Sequence, residues 1–284
     1  MVFIKIFYSF ISMTLMGGAL GIGLAIAAKF LAVKKDERAA KIEEILPGAN
    51  CGACGYPGCS GYAEGIVNNG AEITLCSPGG SEVRAKIAEL MGVEVDEPGE
   101  KMVAQVHCRG NRDTSTYTYN YKGLNDCNAM QAMYGGDKDC KYGCLAGGSC
   151  IKVCPVDAIG RDDKNRIWVN KELCISCEKC VDVCPTGVMQ MIPYSADVIV
   201  GCNSLDKGGK VKKYCSVGCI GCKICEKKSP AGGFVVENFL ATINYDMKGQ
   251  RSEAMKACPA KCIISAETAE RTIEEVKEIN KVDG

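Results

Sequence analysis

Between residues 174 and 185 the chain carries Cys174, Cys177, Cys180 and Cys184 in the run C-x2-C-x2-C-x3-C, closed by Pro185. This spacing puts three thiolates on one tight loop and sends the fourth down the following turn to a different metal cluster. Partial copies of the run flank it on both sides. A chain with several such loops is organised around inorganic clusters and reads as a conduit for electrons. Cysteine is accordingly the compositional outlier: 21 of 284 residues, of which 17 lie within six residues of another. A disulfide scaffold is the competing explanation for so many cysteines, but most spacings are those of metal ligands. Scarce aromatics and abundant glycine suit domains in which metal replaces part of the core. Removing the metal should then unfold them.

The second constraint lies at the other end. From Ile6 to Ala28 no residue is charged, and as a helix these 23 residues span about 34 Å, enough for a bilayer core. The apolar run is longer than the core of a secretory signal and no small-residue cleavage site follows it, so a retained transmembrane helix is expected. Lys29, Lys34, Lys35, Arg38 and Lys41 follow it, against Lys5 alone before it. The positive-inside rule then places everything after residue 30 in the cytoplasm, where thiols stay reduced. Gly17, Gly18, Gly21 and Gly23 suit close packing on another membrane helix, or are ordinary membrane glycines.

Past a helix ending near Ile45, Cys51, Cys54, Cys59 and Cys76 form C-x2-C-x4-C-x16-C in a Gly-rich segment. The glycines let the backbone approach a cluster and offer amide donors to its sulfurs. A short helix over residues 60–69 would return Cys76 as the fourth ligand. Four cysteines also suit zinc, but three thiols within nine Gly-rich residues favour iron–sulfur. Ser81–Met91 reads as a further helix, followed by a linker.

Residues 139–192 read as a complete ferredoxin-like double repeat. In its first half, CKYGCLAGGSCIKVCP, Cys144, Cys150 and Cys154 hold the first, third and fourth motif positions, and Gly147 stands where the second thiolate belongs. Cys140 is the nearest substitute. Crossing the fourth ligands assigns one cluster to Cys140, Cys144, Cys150 and Cys184, and another to Cys154, Cys174, Cys177 and Cys180. Residues 215–265 repeat the pattern with losses: Cys219, Cys222 and Cys225 keep their spacing, while Ser229, Lys248, Arg251 and Ala254 occupy the four ligand positions of the partner cluster. Joint loss is what crossed ligands predict. The surviving set is Cys219, Cys222, Cys225 and Cys258.

Cys108, Cys127, Cys202, Cys215 and Cys262 are left over. The first four either form a fifth cluster or are buried structural thiols, and exchange of Cys140 with them stays open. Cys215 precedes Cys219 as Cys140 precedes Cys144, within matching K-x-C-x-x-G-C strings. The chain carries 34 basic and 34 acidic residues, with no nucleic-acid footprint, no G-x-G-x-x-G fingerprint and no catalytic constellation. His107 and Trp168 are expected to be structural. The Lys-rich stretch 207–213 reads either as a solvated loop or as a dock for an acidic partner.

The order of an N-terminal anchor, the LPGANCGACGYPGC loop, the Y-x-Y-x-G-x-x-D-C segment at 119–127 and the cysteine runs resembles the B subunits of the Rnf-type ion-translocating ferredoxin:NAD+ oxidoreductases, in their longer, cluster-rich form. The resemblance implies an electron-transfer subunit with four [4Fe-4S] clusters and room for a fifth. It would take electrons from soluble ferredoxin and pass them to membrane redox subunits; nicotinamide would bind elsewhere. A free-standing membrane-tethered polyferredoxin and a zinc-stabilised interaction protein are the competing classes. The fold expected is α+β: a transmembrane anchor (1–33), a small Gly-rich [4Fe-4S] domain (34–92), a connecting segment (93–138), a two-cluster ferredoxin-like module (139–192), a second, partly degenerate module (193–265) and a helical tail (266–284). A single pass through the cell membrane, with the soluble domains on the cytoplasmic side, completes the expectation.

Overall fold

The computed structural model describes residues 2–31, 36–93, 100–229, 232–247 and 251–266; Lys248 and the expected C-terminal tail beyond Ala266 lie outside them. Helix α1 (Val2–Leu31) contains an apolar stretch, Ile6–Ala27, long enough to cross a membrane. Phe7, Phe10, Leu15, Leu20 and Leu24 on it are all exposed. No other described element covers them.

Three helices make the first compact unit: α2 (Glu37–Ile45), α3 (Cys59–Asn69) and α4 (Gly80–Met91). The Asp36 side chain caps α2 by accepting from the Arg38 amide, which satisfies one of the helix's orphan donors. Ile42 of α2 packs with Tyr62, Ala63 and Ile66 of α3 and with Ile87 of α4, all buried. That small core holds the loop 46–58 and the return to Cys76 on one side of it.

Two further units share one plan. In the first, β1 (Met102–Val106) is followed by helix α5 (Cys127–Ala132), helix α6 (Ser149–Lys152), the hairpin β2 (Ile159–Arg161) and β3 (Ile167–Val169), helix α7 (Lys179–Asp182) and β4 (Met189–Pro193). β1 and β4 pair antiparallel, Met102 opposite Pro193 and Val106 opposite Met189. In the second, β5 (Val198–Val200) leads to helix α8 (Gly208–Tyr214), helix α9 (Ile224–Lys228), the hairpin β6 (Phe234–Glu237) and β7 (Leu240–Ile243), helix α10 (Arg251–Ala257) and β8 (Ile263–Ser265). β8 pairs antiparallel with β5, as β4 pairs with β1. Each unit closes its first strand on its last, with a hairpin and three short helices between. Val103 and Ile192 of the first pack with Ile199 of the second, so the two share an apolar seam.

Turn chemistry closes the first hairpin. Asp162 accepts from the amides of Lys164 and Arg166, and Trp168 lies buried against Gly160, which has no Cβ to obstruct the ring. Two segments differ from expectation. The connecting stretch supplies β1, an edge of the first unit's sheet. The Lys-rich stretch is helical rather than a loop, because Val211 and Tyr214 are buried and override the weak helix propensity of Gly208 and Gly209.

Candidate metal centres

Cys51, Cys54, Cys59 and Cys76 come together at the edge of the first unit, where the first three lie among the charges acting on Cys76, whose thiol is pushed up chiefly by burial. The loop is pinned by Asn50: its Oδ1 accepts from the Cys59 amide at 2.8 Å and its Nδ2 donates to the Gly48 carbonyl at 3.2 Å. Gly58, at φ +123°, has the Asn50 oxygen 2.9 Å from where a Cβ would stand. Only glycine fits there.

Three cavities carry the remaining sets. One of about 340 Å³ is lined by Cys154, Cys174, Cys177 and Cys180 together with Ala104 and Ile159. Two amides point at its sulfurs, Ala158 toward Cys154 at 3.3 Å and Ala104 toward Cys174 at 3.5 Å. Another, of about 330 Å³, is lined by Cys219, Cys222, Cys225 and Cys258, and by Cys262 as well. Cys262 lies four residues after Cys258, where Ala158 follows Cys154, and its sulfur is 3.5 Å from that of Cys258. Cys262 acts as a thiol donor to Cys219 and Cys258, drawing both below the ordinary thiol range while remaining protonated itself. It lines the cavity as a hydrogen-bonding neighbour of those two sulfurs.

The third cavity, of about 380 Å³, is lined by Cys144, Cys150 and Cys184, and by Cys127 rather than Cys140. The backbone explains the exchange. The loops Cys174–Cys180 and Cys219–Cys225 put the residues on either side of their middle cysteine in the left-handed region: Ser176 and Glu178, then Gly221 and Lys223. Ala146 and Gly148 adopt the same conformation around Gly147, so Gly147 does stand at the second-ligand position. A Cβ there would lie 2.9 Å from the Cys127 nitrogen and 3.0 Å from the Asp126 carbonyl carbon. The missing side chain admits the backbone of a residue from elsewhere, and that residue carries a thiol. Cys127 heads α5, where its amide donates to Ser149 Oγ (2.7 Å) and Ser149 Oγ donates to Asp126 Oδ2 (2.9 Å). Cys140 lies instead beside Cys108 and Cys215.

Three of the four ligand positions read as lost from the second unit are described, and they are filled otherwise; the fourth, Lys248, lies outside the described residues. Arg251 is buried, and its guanidinium donates to Asp197 (2.8 Å) and to the carbonyls of Asn244, Tyr245 and Met247 (2.7–3.2 Å). Ser229 and Ala254 are buried beside it. His107 is packed, its imidazole held down to about 4 by burial, and it lines none of the three cavities.

The donor sets fit cubane clusters better than single ions. Among the described residues no three His, Cys, Asp or Glu side chains converge tightly enough for one metal ion. Thiols ring apolar cavities instead, with backbone amides aimed at sulfur, which is the protein's means of tuning a cluster. The sites are also close to one another. Cys51 of the first lies among the charges acting on Cys177, and Cys180 among those acting on Cys150.

Residues 46–78 match a family described as a putative Fe-S cluster, and residues 140–191 match a 4Fe-4S dicluster domain. Over 243 residues the chain is 42% identical to the B subunit of the Na(+)-translocating ferredoxin:NAD(+) oxidoreductase complex of Acetobacterium woodii, covering 86% of this chain and 73% of that protein. It is 40% identical to the B subunit of the ion-translocating oxidoreductase complex of Methanosarcina acetivorans, over 87% of this chain and 94% of the relative. The B subunit of the proton-translocating ferredoxin:NAD(+) oxidoreductase complex of Clostridium ljungdahlii is 38% identical, over 88% of this chain and 87% of the relative.

Proposed function

The chain belongs to the family of B subunits of ion-translocating ferredoxin:NAD(+) oxidoreductase complexes, and on that premise we propose how its parts divide the work. It is an iron–sulfur electron-transfer subunit of such a complex and works beside other subunits. Bound [4Fe-4S] clusters supply one-electron couples whose potentials the surrounding protein sets. The ligands we assign are Cys51, Cys54, Cys59 and Cys76 at site 1; Cys127, Cys144, Cys150 and Cys184 at site 2; Cys154, Cys174, Cys177 and Cys180 at site 3; and Cys219, Cys222, Cys225 and Cys258 at site 4. The two units with matched strands, hairpins and helices are tandem ferredoxin-like modules, the second with one cluster lost. α1 anchors the subunit by a single pass, and the remainder faces the cytoplasm.

The observation that carries the reading is the proximity of thiol-ringed sites in series, site 1 beside site 3 and site 3 beside site 2. Site 1 belongs to the unit that follows the anchor, so it is the delivery end. Site 4 lies at the other end, and its Cys222 is the one exposed cysteine of the 21. Lys223, Lys227 and Lys228 beside it are exposed. An acidic reduced ferredoxin would be steered there by complementary charge, which acts mainly on association rate. Reversing the three lysines to glutamate in the whole complex should raise the KM for ferredoxin and weaken its salt dependence, with reduction by dithionite unchanged. An unchanged KM would place the donor elsewhere.

A further inference from the structure

Four thiols outside those sites come from equivalent places in the two modules. Cys108 stands two residues beyond β1 and Cys202 two beyond β5. The residue before each is tied in the same way: the His107 amide to the Val188 carbonyl and the Gly201 amide to the Cys262 carbonyl, both 2.7 Å. Val188 follows Cys184 by the interval at which Cys262 follows Cys258. Cys140 and Cys215 likewise open the two K-x-C-x-x-G-C strings, whose closing cysteines, Cys144 and Cys219, serve sites 2 and 4. Each module therefore offers two thiols that its own site does not use.

The fold brings them together. Residues 114–118 run between the two strings and hydrogen-bond to both. Thr116 N donates to Tyr214 O and Ser216 N to Thr114 O on one edge; Thr118 N donates to Asp137 O and Asp139 N to Thr116 O on the other. Cys140 and Cys215 are thereby carried to the same region. The sulfurs of Cys108 and Cys215 each lie 3.7 Å from the point where a Cβ on Gly110 would stand. Cys108 and Cys215 act by charge on Cys140, and Cys108 also on Cys202.

We propose that Cys108, Cys140, Cys202 and Cys215 hold a further [4Fe-4S] cluster, two ligands from each module, at the junction between them. Lys138 is buried at the same junction, its ammonium donating to the carbonyls of Gly110 (2.9 Å) and Cys144 (2.8 Å). The site also closes the series, since Cys108 lies by Cys144 of site 2 and Cys202 by Cys219 of site 4.

The inference rests on the four-cubane reading of the other sites, and counting iron separates the two. The full-length chain, purified without oxygen, should hold about 20 irons with matching sulfide, against about 16 if only sites 1–4 are filled. Cys140→Ser and Cys215→Ser should each lose about four, and the double variant no more than either, because both serve one cluster. A double variant losing about eight would assign Cys140 to another cluster and overturn the proposal. So would full iron in Cys215→Ser, or zinc in place of the lost iron. A wild-type count well under 16 would instead sink the underlying four-site reading. If the serine variants misfold by circular dichroism, alkylation of the wild type decides: Cys108, Cys140 and Cys215 should resist iodoacetamide until a chelator strips the iron. Their modification before stripping refutes the proposal.

Discussion

Gly147→Ala adds one methyl group and removes no ligand, yet it should empty site 2. The new Cβ would meet the Cys127 nitrogen at 2.9 Å, the Asp126 carbonyl carbon at 3.0 Å and the Met130 sulfur at 3.0 Å. Two of the three are backbone, so residues 126–127 must retreat by about half an ångström, and overpacking of this kind costs about 1–3 kcal/mol. The same shift strains the start of α5, where Asp126 accepts from the Asn128 and Ala129 amides and from Ser149; such a cap is worth about 1 kcal/mol. Together these come to about 2–4 kcal/mol against the ligand-competent arrangement, a factor of roughly 30 to 1,000. Iron and sulfide analysis after reconstitution with limiting iron should show about four fewer irons per chain, the deficit expected of Cys127→Ser. Gly209→Ala, in α8 with nothing within 4 Å, is the control and should keep every iron. A Gly147→Ala protein with full iron and unchanged melting would mean that Cys127 does not depend on the missing side chain, and the site 2 assignment would fall.

Three other outcomes follow from the same geometry. Arg251→Met should destabilise the second module by about 2–4 kcal/mol in a denaturant melt, through lost bonds to Asp197 and three carbonyls, while site 4 keeps its iron; loss of iron would contradict the account of that void. Cys262→Ala should leave the iron count unchanged and move the reduction potential of site 4, since a donor to Cys219 and Cys258 disappears; an iron deficit would make Cys262 a ligand. Burial pushes the thiols of Cys180 and Cys202 up to about 12, so in the metal-free chain they stay protonated at neutral pH and must release their protons to bind iron. Loading should therefore grow tighter from pH 7 to 8.5, by up to about tenfold per unit for each such thiol, and an affinity flat across that range would refute it.

The parts of the site that were legible in the sequence are those a short loop determines. Cys174, Cys177 and Cys180 sit on one turn, and their spacing alone fixes that they share a site. The crossed-ligand spacing proposes Cys154 as the companion of Cys174, Cys177 and Cys180, and those four line one cavity. What could not be read was any ligand delivered across the fold. Cys140 is close to Cys144 in sequence and Cys127 is not, yet proximity along the chain counts for nothing once residues 114–118 pull Cys140 toward Cys215. The left-handed pair Ala146 and Gly148, which identifies Gly147 as the vacated ligand position, is a backbone fact with no reliable signature in residue type. The sequence does carry one such signal: Val-His-Cys at 106–108 and Val-Gly-Cys at 200–202 repeat in the order that the K-x-C-x-x-G-C strings repeat.

The asymmetry between the modules has a physical meaning of its own. On the assignment proposed above, site 3 of the first module lies toward Cys51, and the series would continue from it to site 1. Its counterpart in the second module would occupy the positions of Ser229, Arg251 and Ala254 and extend the series past site 4. An arginine stands there instead, with its charge held by Asp197 and three carbonyls. That replacement does more than fill a void, because a buried guanidinium tied to four acceptors has neither the thiols nor the room for a cluster. On this reading Arg251 ends the series at site 4, leaving Cys222 as the point nearest solvent and the lysines of α9 as the surface a negatively charged donor would meet first. Loss of one cluster and exposure of the next are then the same structural event, and it is this event that gives the row of sites a direction.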